Sequence, residues 1–138
     1  MNEKKAVITF VGDDIFEAQT PTGNAVRLDF NRERNSGASP VELLLIAVGG
    51  CTAIDVITIL EKKRQKVNAY RVEVAGERAE ENPRYVKKFI VRHIFHGENL
   101  DEKAVRHAVE LSDEKYCSVG ATVKPKAEIV SEIEIHEG

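Results

Sequence analysis

The two cysteines are the residues of this sequence with the clearest capacity for chemistry. Cys51 follows two glycines inside a long apolar segment, and Cys117 precedes a segment predicted to form a short helical turn. Backbone N–H groups at the start of a helix favour a thiolate, which is the nucleophilic form of cysteine. The two residues are far apart in sequence, so no local motif such as CxxC applies. The alternative is that both are buried structural thiols, because free cysteine is among the most buried residue types.

An acidic residue, Asp55, lies one helical turn after Cys51 and therefore on the same face of the predicted helix. A neighbouring carboxylate raises the pKa of a thiol and so opposes its reactivity. A reactive Cys51 would need a compensating cation, unless Asp55 is paired elsewhere or turned away.

The sequence predicts no metal site and no cofactor. His93 and His96 are three residues apart on a predicted strand, so they point to opposite faces. The sequence has no HxxxH or CxxC pairing typical of zinc ligands. It also lacks the GxSxG motif of serine nucleophiles and the glycine-rich motifs that bind phosphates.

Length, charge and cysteine content indicate a single-domain protein and argue against a nucleic-acid-binding or secreted one. The chain has 138 residues, the usual size of one domain, and a net charge of -3. There is no basic excess to neutralise phosphates, so the sequence predicts no nucleic-acid partner. With two cysteines and no apolar signal-peptide pattern near the N-terminus, we expect a cytoplasmic protein with reduced thiols.

One apolar segment, Leu43–Leu60, is long enough to resemble a membrane span. Asp55 and the Gly49–Gly50 pair interrupt it, and the flanking sequence reads as amphipathic strands that need a core. We therefore expect no membrane partner and interpret the segment as a helix buried on all sides. A domain this small rarely encases such a helix alone, so the sequence predicts a dimer. The glycines indicate that another element comes close to the helix there, because glycine weakens a helix.

The remaining pattern predicts an α+β fold with an antiparallel sheet in a single domain over residues 1–138. Ser39 and Glu42 form a predicted capping box at the start of the central helix. The predicted elements are N-terminal strands within 5–30, a central helix over 40–63, a strand hairpin over 68–96, a helix over 101–115, a short helical segment at Cys117 and a closing strand over 127–136.

Two stretches resemble the cysteine motifs of a known family. The run SPVELLLIAVGGCTA at residues 39–53 is similar to the first cysteine motif of the OsmC/Ohr family of organic hydroperoxide reductases. The run EKYCSV at residues 114–119 resembles its second motif. The similarity is greatest to the YhfA-like branch, and the element order agrees along nearly the whole chain.

The resemblance implies an OsmC-like fold in which antiparallel sheets wrap around long central helices in an intertwined homodimer. It also implies swapped N-terminal strands and two active sites at the dimer interface. In that family the first cysteine attacks an organic hydroperoxide and the second resolves the product as a disulfide, which assigns these roles to Cys51 and Cys117. A dithiol reductant would restore both thiols.

The resemblance further implies an arginine that stabilises the thiolate and a carboxylate that holds the arginine. Arg27 and Glu42 are the expected pair, although spacing back from Cys51 places the carboxylate on Val41. Arg32 and Arg34 are alternative arginines, and each arginine is otherwise a solvated surface charge. The alternative function is that of a small-ligand-binding or stress protein on the same fold, without or with weak catalysis.

Overall fold

The computed structural model describes residues 3–138. Internal contacts divide the chain into two compact units, the first extending to Leu43 and the second comprising Leu44–Gly138. The single domain stays a prediction.

The first unit contains an antiparallel sheet of three strands in the order β1-β2-β3. The strands are β1 (Val7–Gly12), β2 (Ile15–Gln19) and β3 (Ala25–Asp29). Gly12, Asp13 and Asp14 have positive φ in the turn between β1 and β2, a conformation that these residue types adopt more readily than most. The strands predicted within residues 5–30 are confirmed, with differences of one or two residues at their ends.

The long helix α1 (Pro40–Lys62) begins at the predicted capping box. The Glu42 N–H donates to Ser39 Oγ at 3.1 Å, and the Ser39 N–H donates to Glu42 Oε1 at 2.8 Å. These bonds satisfy backbone N–H groups that have no partner within the helix. The start of the helix is confirmed, and it ends one residue earlier than predicted.

The second unit contains a sheet of three strands in the order β4-β5-β6. The strands are β4 (Lys66–Arg78), β5 (Val86–Glu98) and β6 (Glu128–Glu137). β4 and β5 form the predicted antiparallel hairpin. The expectation of purely antiparallel sheets is wrong for β6, which pairs parallel to β5. The reason is that the helices between β5 and β6 carry the chain back to the starting end of β5, as parallel neighbours require.

Those connecting helices are α2 (Glu102–Leu111) and α3 (Ser118–Val123), with a π-helical turn at Ser112–Tyr116 between them. Asp101 caps α2 by accepting a hydrogen bond from the Lys103 N–H at 3.0 Å, as the sequence predicts. The helix predicted over 101–115 is therefore interrupted after Leu111.

The core of the second unit lies between the helices and the sheet, and α1 packs closely on β4. A Cβ atom at Gly49 would lie 2.6 Å from Cγ2 of Val74, so glycine at this position permits the approach that the sequence predicts. The buried core cluster comprises Val56, Leu60, Phe95, Val105, Ala108 and Val109.

The opposite face of α1 is exposed in the isolated chain. Ile46 is 62% exposed and Ile54 is 68% exposed. By length and composition α1 is apolar enough to cross a membrane, and only 28% of its apolar window is buried within the chain. Burial of this helix on all sides is therefore not achieved by a single chain.

His93 is a fully buried polar residue on β5. Its Nδ1 lies 2.7 Å from the Tyr70 hydroxyl, with which it shares a hydrogen bond, and its Nε2 has no partner among the described residues. Burial lowers the pKa of His93 to about 4. Burial also raises the pKa of Tyr70, so both side chains are neutral near neutral pH.

The low pKa of His93 predicts a loss of stability in acid. Between about pH 6.5 and pH 4 the unfolded chain takes up a proton that the folded chain excludes, so the free energy of unfolding falls as pH decreases. At pH 5 we expect a loss of about 2 kcal/mol relative to pH 7 from this residue. Urea unfolding at both pH values, at one protein concentration, measures it.

His93→Gln should remove this part of the pH dependence, whereas the exposed His107→Gln should retain it. Equal losses in the wild type and in His93→Gln would contradict the assignment to His93.

Candidate functional site

The structure brings Cys51, Cys117 and Asp55 together in the second unit. The two Sγ atoms and a carboxylate oxygen of Asp55 all lie within 4.8 Å of one another. Cys51 and Asp55 are half-buried on α1, one turn apart, and Cys117 is buried at the start of α3. Both cysteines are free thiols. Residues that are far apart in sequence thus form one compact group.

The π-helical turn delivers Cys117 to this group. The Cys117 N–H donates to the Ser112 carbonyl, five residues earlier, at 2.8 Å. A π turn inserts one residue into helical winding and so changes which side chains face inward. Here it leaves the Ser112 side chain fully buried and Cys117 at the N-cap of α3. The uninterrupted helical pattern predicted for this stretch carried no signal of the turn.

The Cys117 thiol has opposing influences on its ionisation. Its Sγ accepts a hydrogen bond from the Gly120 N–H at 3.2 Å, which favours the thiolate as the sequence predicts. A Cβ at Gly120 would lie 3.1 Å from this sulfur, so glycine leaves it room. Burial, with further contributions from Cys51 and Asp55, outweighs the hydrogen bond and raises the pKa of Cys117 to about 11. Cys117 is therefore a protonated thiol near neutral pH.

Asp55 is held by a hydrogen bond from Ser112 rather than by a cation. The Ser112 hydroxyl donates to Asp55 Oδ2 at 2.9 Å and lies 2.9 Å from Thr52 Oγ1. Within residues 44–138, Asp55 forms no ion pair. The sequence indicated that Asp55 faces Cys51, but it did not reveal Ser112 and Thr52. For Thr52, the only sequence signal of a place beside Asp55 was its position on the same turn of α1. For Ser112 there was no such signal.

The expected arginine and carboxylate have local partners in the first unit. Arg27 Nε lies 3.1 Å from Glu17 Oε1, its cross-strand neighbour on β2, and Glu42 belongs to the capping box of α1. The structure of this unit does not pair Arg27 with Glu42. The roles of Arg27 and Glu42 beside Cys51 stay predictions.

The two alternative arginines lie in the loop after β3. Arg34 binds the buried Asp29 through Nε at 2.7 Å and Nη2 at 2.9 Å, and it also contacts Asp13. The guanidinium of Arg34, with the Ser36 hydroxyl, holds the pKa of the Asp29 carboxyl well below its usual range. Arg32 lines a surface cavity of the first unit beside Phe30. Arg34 therefore has a structural role in this loop.

Cys51, Asp55 and Cys117 could support two kinds of chemistry, namely disulfide formation and metal binding. A disulfide is one possibility, for which the sulfurs must approach from within 4.8 Å to about 2.05 Å with a suitable Cβ–S–S–Cβ dihedral. Thiolates and a carboxylate are also metal ligands, and Cys51, Asp55 and Cys117 are the residues that could hold an ion here.

Comparison with known proteins identifies the fold. Residues 33–132 match the model of the family described as OsmC-like protein. The chain belongs to the OsmC-like family. Among curated OsmC-like relatives, Protein YhfA of Escherichia coli strain K12 is 37% identical over 131 residues, covering 95% of this chain and 97% of YhfA.

Solved structures agree with the OsmC-like assignment. A hypothetical protein from Aquifex aeolicus VF5 is 32% identical with a TM-score of 0.88, covering 100% of this chain and 99% of that chain. The organic hydroperoxide resistance protein OhrB of Bacillus subtilis shares the fold with a TM-score of 0.65 at 12% identity, covering 96% of this chain and 98% of that one. The α+β, OsmC-like fold class expected from the sequence is confirmed.

The contacts of Asp55 predict its effect on Cys117. In a Cys51→Ser background, Asp55→Asn should lower the pKa of Cys117, because the substitution removes a negative charge that disfavours the thiolate. The ¹³Cβ NMR shift of labelled cysteine, followed against pH, measures the change. Glu110→Gln, an exposed acid on α2, is the matched control and should leave the titration unchanged. A pKa that stays the same or rises in Asp55→Asn would refute the electrostatic link.

Proposed function

We propose that this protein is a thiol-dependent peroxidase that reduces organic hydroperoxides to alcohols, with Cys51 attacking and Cys117 resolving. The observation that supports it most is the approach of the two sulfurs to within 4.8 Å on an OsmC-like fold. The name of the fold neighbour OhrB, an organic hydroperoxide resistance protein, agrees with a role in oxidative stress.

The environments of the two thiols favour this order of events. Cys51 is half-buried and within reach of a substrate, whereas Cys117 is buried and has a pKa of about 11. A thiol that stays protonated is a poor first nucleophile. It reacts once a neighbouring sulfur has become an electrophile, which is the task of a resolving cysteine.

The proposed reaction conserves atoms and electrons. The Cys51 thiolate attacks one oxygen of the peroxide, the O–O bond breaks, and the other oxygen leaves as the alcohol after taking up a proton. Cys51 is then a sulfenic acid. The Cys117 sulfur attacks Cys51 Sγ, an S–S bond forms, and the hydroxyl leaves as water with the Cys117 proton. A dithiol reductant returns two electrons and two protons to the pair and becomes a disulfide itself.

A second candidate function is a small-ligand-binding or stress protein whose thiols do not cycle. The observation that favours it is Asp55 beside both sulfurs, since a carboxylate opposes thiolate formation. The pairing of Arg27 with Glu17 also favours it.

The thiol count distinguishes these functions. One equivalent of an organic hydroperoxide, added to the reduced protein, should remove both thiols of each chain within seconds and give an intramolecular Cys51–Cys117 disulfide by mass. Cys51→Ser should abolish turnover. Cys117→Ser should stop after one thiol, leaving a sulfenic acid that a dimedone probe traps.

Glu110→Gln, an exposed acid on α2, is the control and should leave the loss of thiols unchanged. Two unchanged thiols in the wild type after peroxide treatment would favour the ligand-binding function instead.

We further propose a soluble cytoplasmic homodimer in which the exposed face of α1 is covered. Ile46, Gly50 and Ile54 follow one another at intervals of four residues on this face, and a Cβ at Gly50 would meet nothing within 4 Å. An apolar stripe with glycine at its centre suits close helix crossing. The first unit also exposes apolar side chains, namely Val7, Ile8, Phe10, Val11, Val26 and Phe30.

The dimer proposal predicts a solution mass of twice 15.4 kDa by light scattering. Ile54→Lys should shift the protein to monomers or to aggregates, because it places a charge within the covered apolar face. The exposed Glu110→Lys on α2, outside this face, is the matched control and should leave the mass unchanged. A monomeric wild type at micromolar concentration would rule the dimer out.

A further inference from the structure

The cluster of Cys51, Asp55 and Cys117 contains more than a disulfide pair requires. Two sulfurs are sufficient for the thiol cycle, whereas the third member is a carboxylate that no proposed step uses. All three side chains carry donor atoms that bind divalent metals, and they come from two different elements, α1 and the start of α3. The arrangement is therefore that of a ligand set as well as that of a redox pair.

The spacing of the donors suits a small, soft cation. In a tetrahedral zinc site the metal lies about 2.3 Å from sulfur and about 2.0–2.2 Å from a carboxylate oxygen, so neighbouring donors are roughly 3.5–3.8 Å apart. The donors here lie within 4.8 Å of one another, so modest side-chain rotations bring them to that spacing. Thiolates favour zinc over magnesium or calcium, which prefer sets of oxygen ligands.

Groups behind the donors hold them in place. The Ser112 hydroxyl binds Asp55 Oδ2, and Thr52 supports Ser112 in turn. The Gly120 N–H donates to Cys117 Sγ. Outer hydrogen bonds of this kind orient metal ligands and are a regular feature of metal sites. Ser112 is fully buried, so its hydrogen bond restrains the half-buried carboxylate from the interior side.

The half-buried side of the cluster has room for a fourth ligand. Cys51 and Asp55 are both partly accessible, while Cys117 closes the site from the interior. A site with three protein ligands and one accessible position accepts a water molecule as the fourth ligand. A divalent ion also supplies positive charge to Asp55, which forms no ion pair within residues 44–138.

We propose that Cys51, Asp55 and Cys117 form a zinc-binding site, with water as the fourth ligand, and that zinc and peroxide compete for the same two sulfurs. Binding displaces one proton from each thiol and changes no oxidation state. The site stands on the geometry of the three donors. The competition with peroxide rests, in addition, on the proposed function.

Direct binding tests the site without reference to activity. The reduced, metal-free full chain should bind one Zn²⁺ per chain with a dissociation constant below micromolar in competition with a chromophoric chelator. Co²⁺ in its place should give sulfur-to-cobalt charge-transfer absorption in the near ultraviolet and the visible bands of tetrahedral cobalt. Cys51→Ser and Cys117→Ser should each reduce the charge-transfer band by about half.

The carboxylate has its own test. Asp55→Asn should weaken zinc binding by tenfold or more, whereas the exposed Glu110→Gln on the neighbouring helix α2 should leave it unchanged. Asp55→Asn keeps both thiols, so a loss of affinity identifies the carboxylate as a ligand. Equal affinity in Asp55→Asn and in the wild type would overturn the three-residue site. So would wild-type binding no tighter than that of the double variant Cys51→Ser/Cys117→Ser.

The competition is measured by repeating the thiol count with zinc bound. Zinc should slow the loss of thiols to the hydroperoxide by at least tenfold, and a chelator should restore the rate. Thiol loss at the same rate with zinc bound would overturn the competition. If metal-free protein does not react with peroxide but binds zinc as described, the peroxidase function fails and the zinc site stands. If metal-free protein reacts and no zinc binds, the zinc site fails and the peroxidase function stands.

Discussion

The hydrogen bond from the Cys117 N–H to the Ser112 carbonyl is the interaction on which the site depends. It closes a π-helical turn between α2 and α3, and this turn sets the directions of two side chains at once. Ser112 points inward to Asp55 and Thr52, and Cys117 begins α3 with its sulfur near Cys51. Without the inserted residue, regular winding would rotate Cys117 by about 100° relative to Ser112. The local winding of one short segment therefore determines whether the two thiols meet.

The close packing of α1 on β4 is the second requirement, because it fixes the depth at which Cys51 lies. Gly49 faces Val74 across a gap that leaves no space for a methyl group, and Cys51 lies two residues further along the helix. That offset turns Cys51 away from the sheet and toward α3, where it remains half-buried. The glycine pair thus serves two purposes, since Gly49 permits contact with the sheet and Gly50 leaves the opposite face of α1 open.

The sequence predicted the parts of this arrangement that depend on periodicity and caps. Helical spacing placed Asp55 beside Cys51, the Ser39–Glu42 box located the start of α1, and Gly49 indicated a close approach. The resemblance to the OsmC/Ohr motifs predicted that Cys51 and Cys117 lie close together. The π turn and the parallel pairing of β6 were not predicted. The π turn is a local change of winding that the helical periodicity does not show, and the pairing of β6 depends on contacts between residues distant in sequence. The hydrogen bond from Ser112 to Asp55 was also not predicted, because it joins residues far apart in sequence.

The electrostatics of the cluster explain why the same residues suit two kinds of chemistry. A buried thiol with a high pKa and a nearby carboxylate are unfavourable for a stand-alone nucleophile, since both penalise a second negative charge. They are compatible with the proposed peroxidase when Cys117 stays a neutral thiol until Cys51 has reacted, because Cys117 then adds no charge to the cluster. They become favourable when a divalent cation enters, because its charge offsets that of the two sulfurs and the carboxylate together. Under the two proposals, the charge beside Asp55 therefore selects between the redox pair and the metal site, and a zinc ion selects the second.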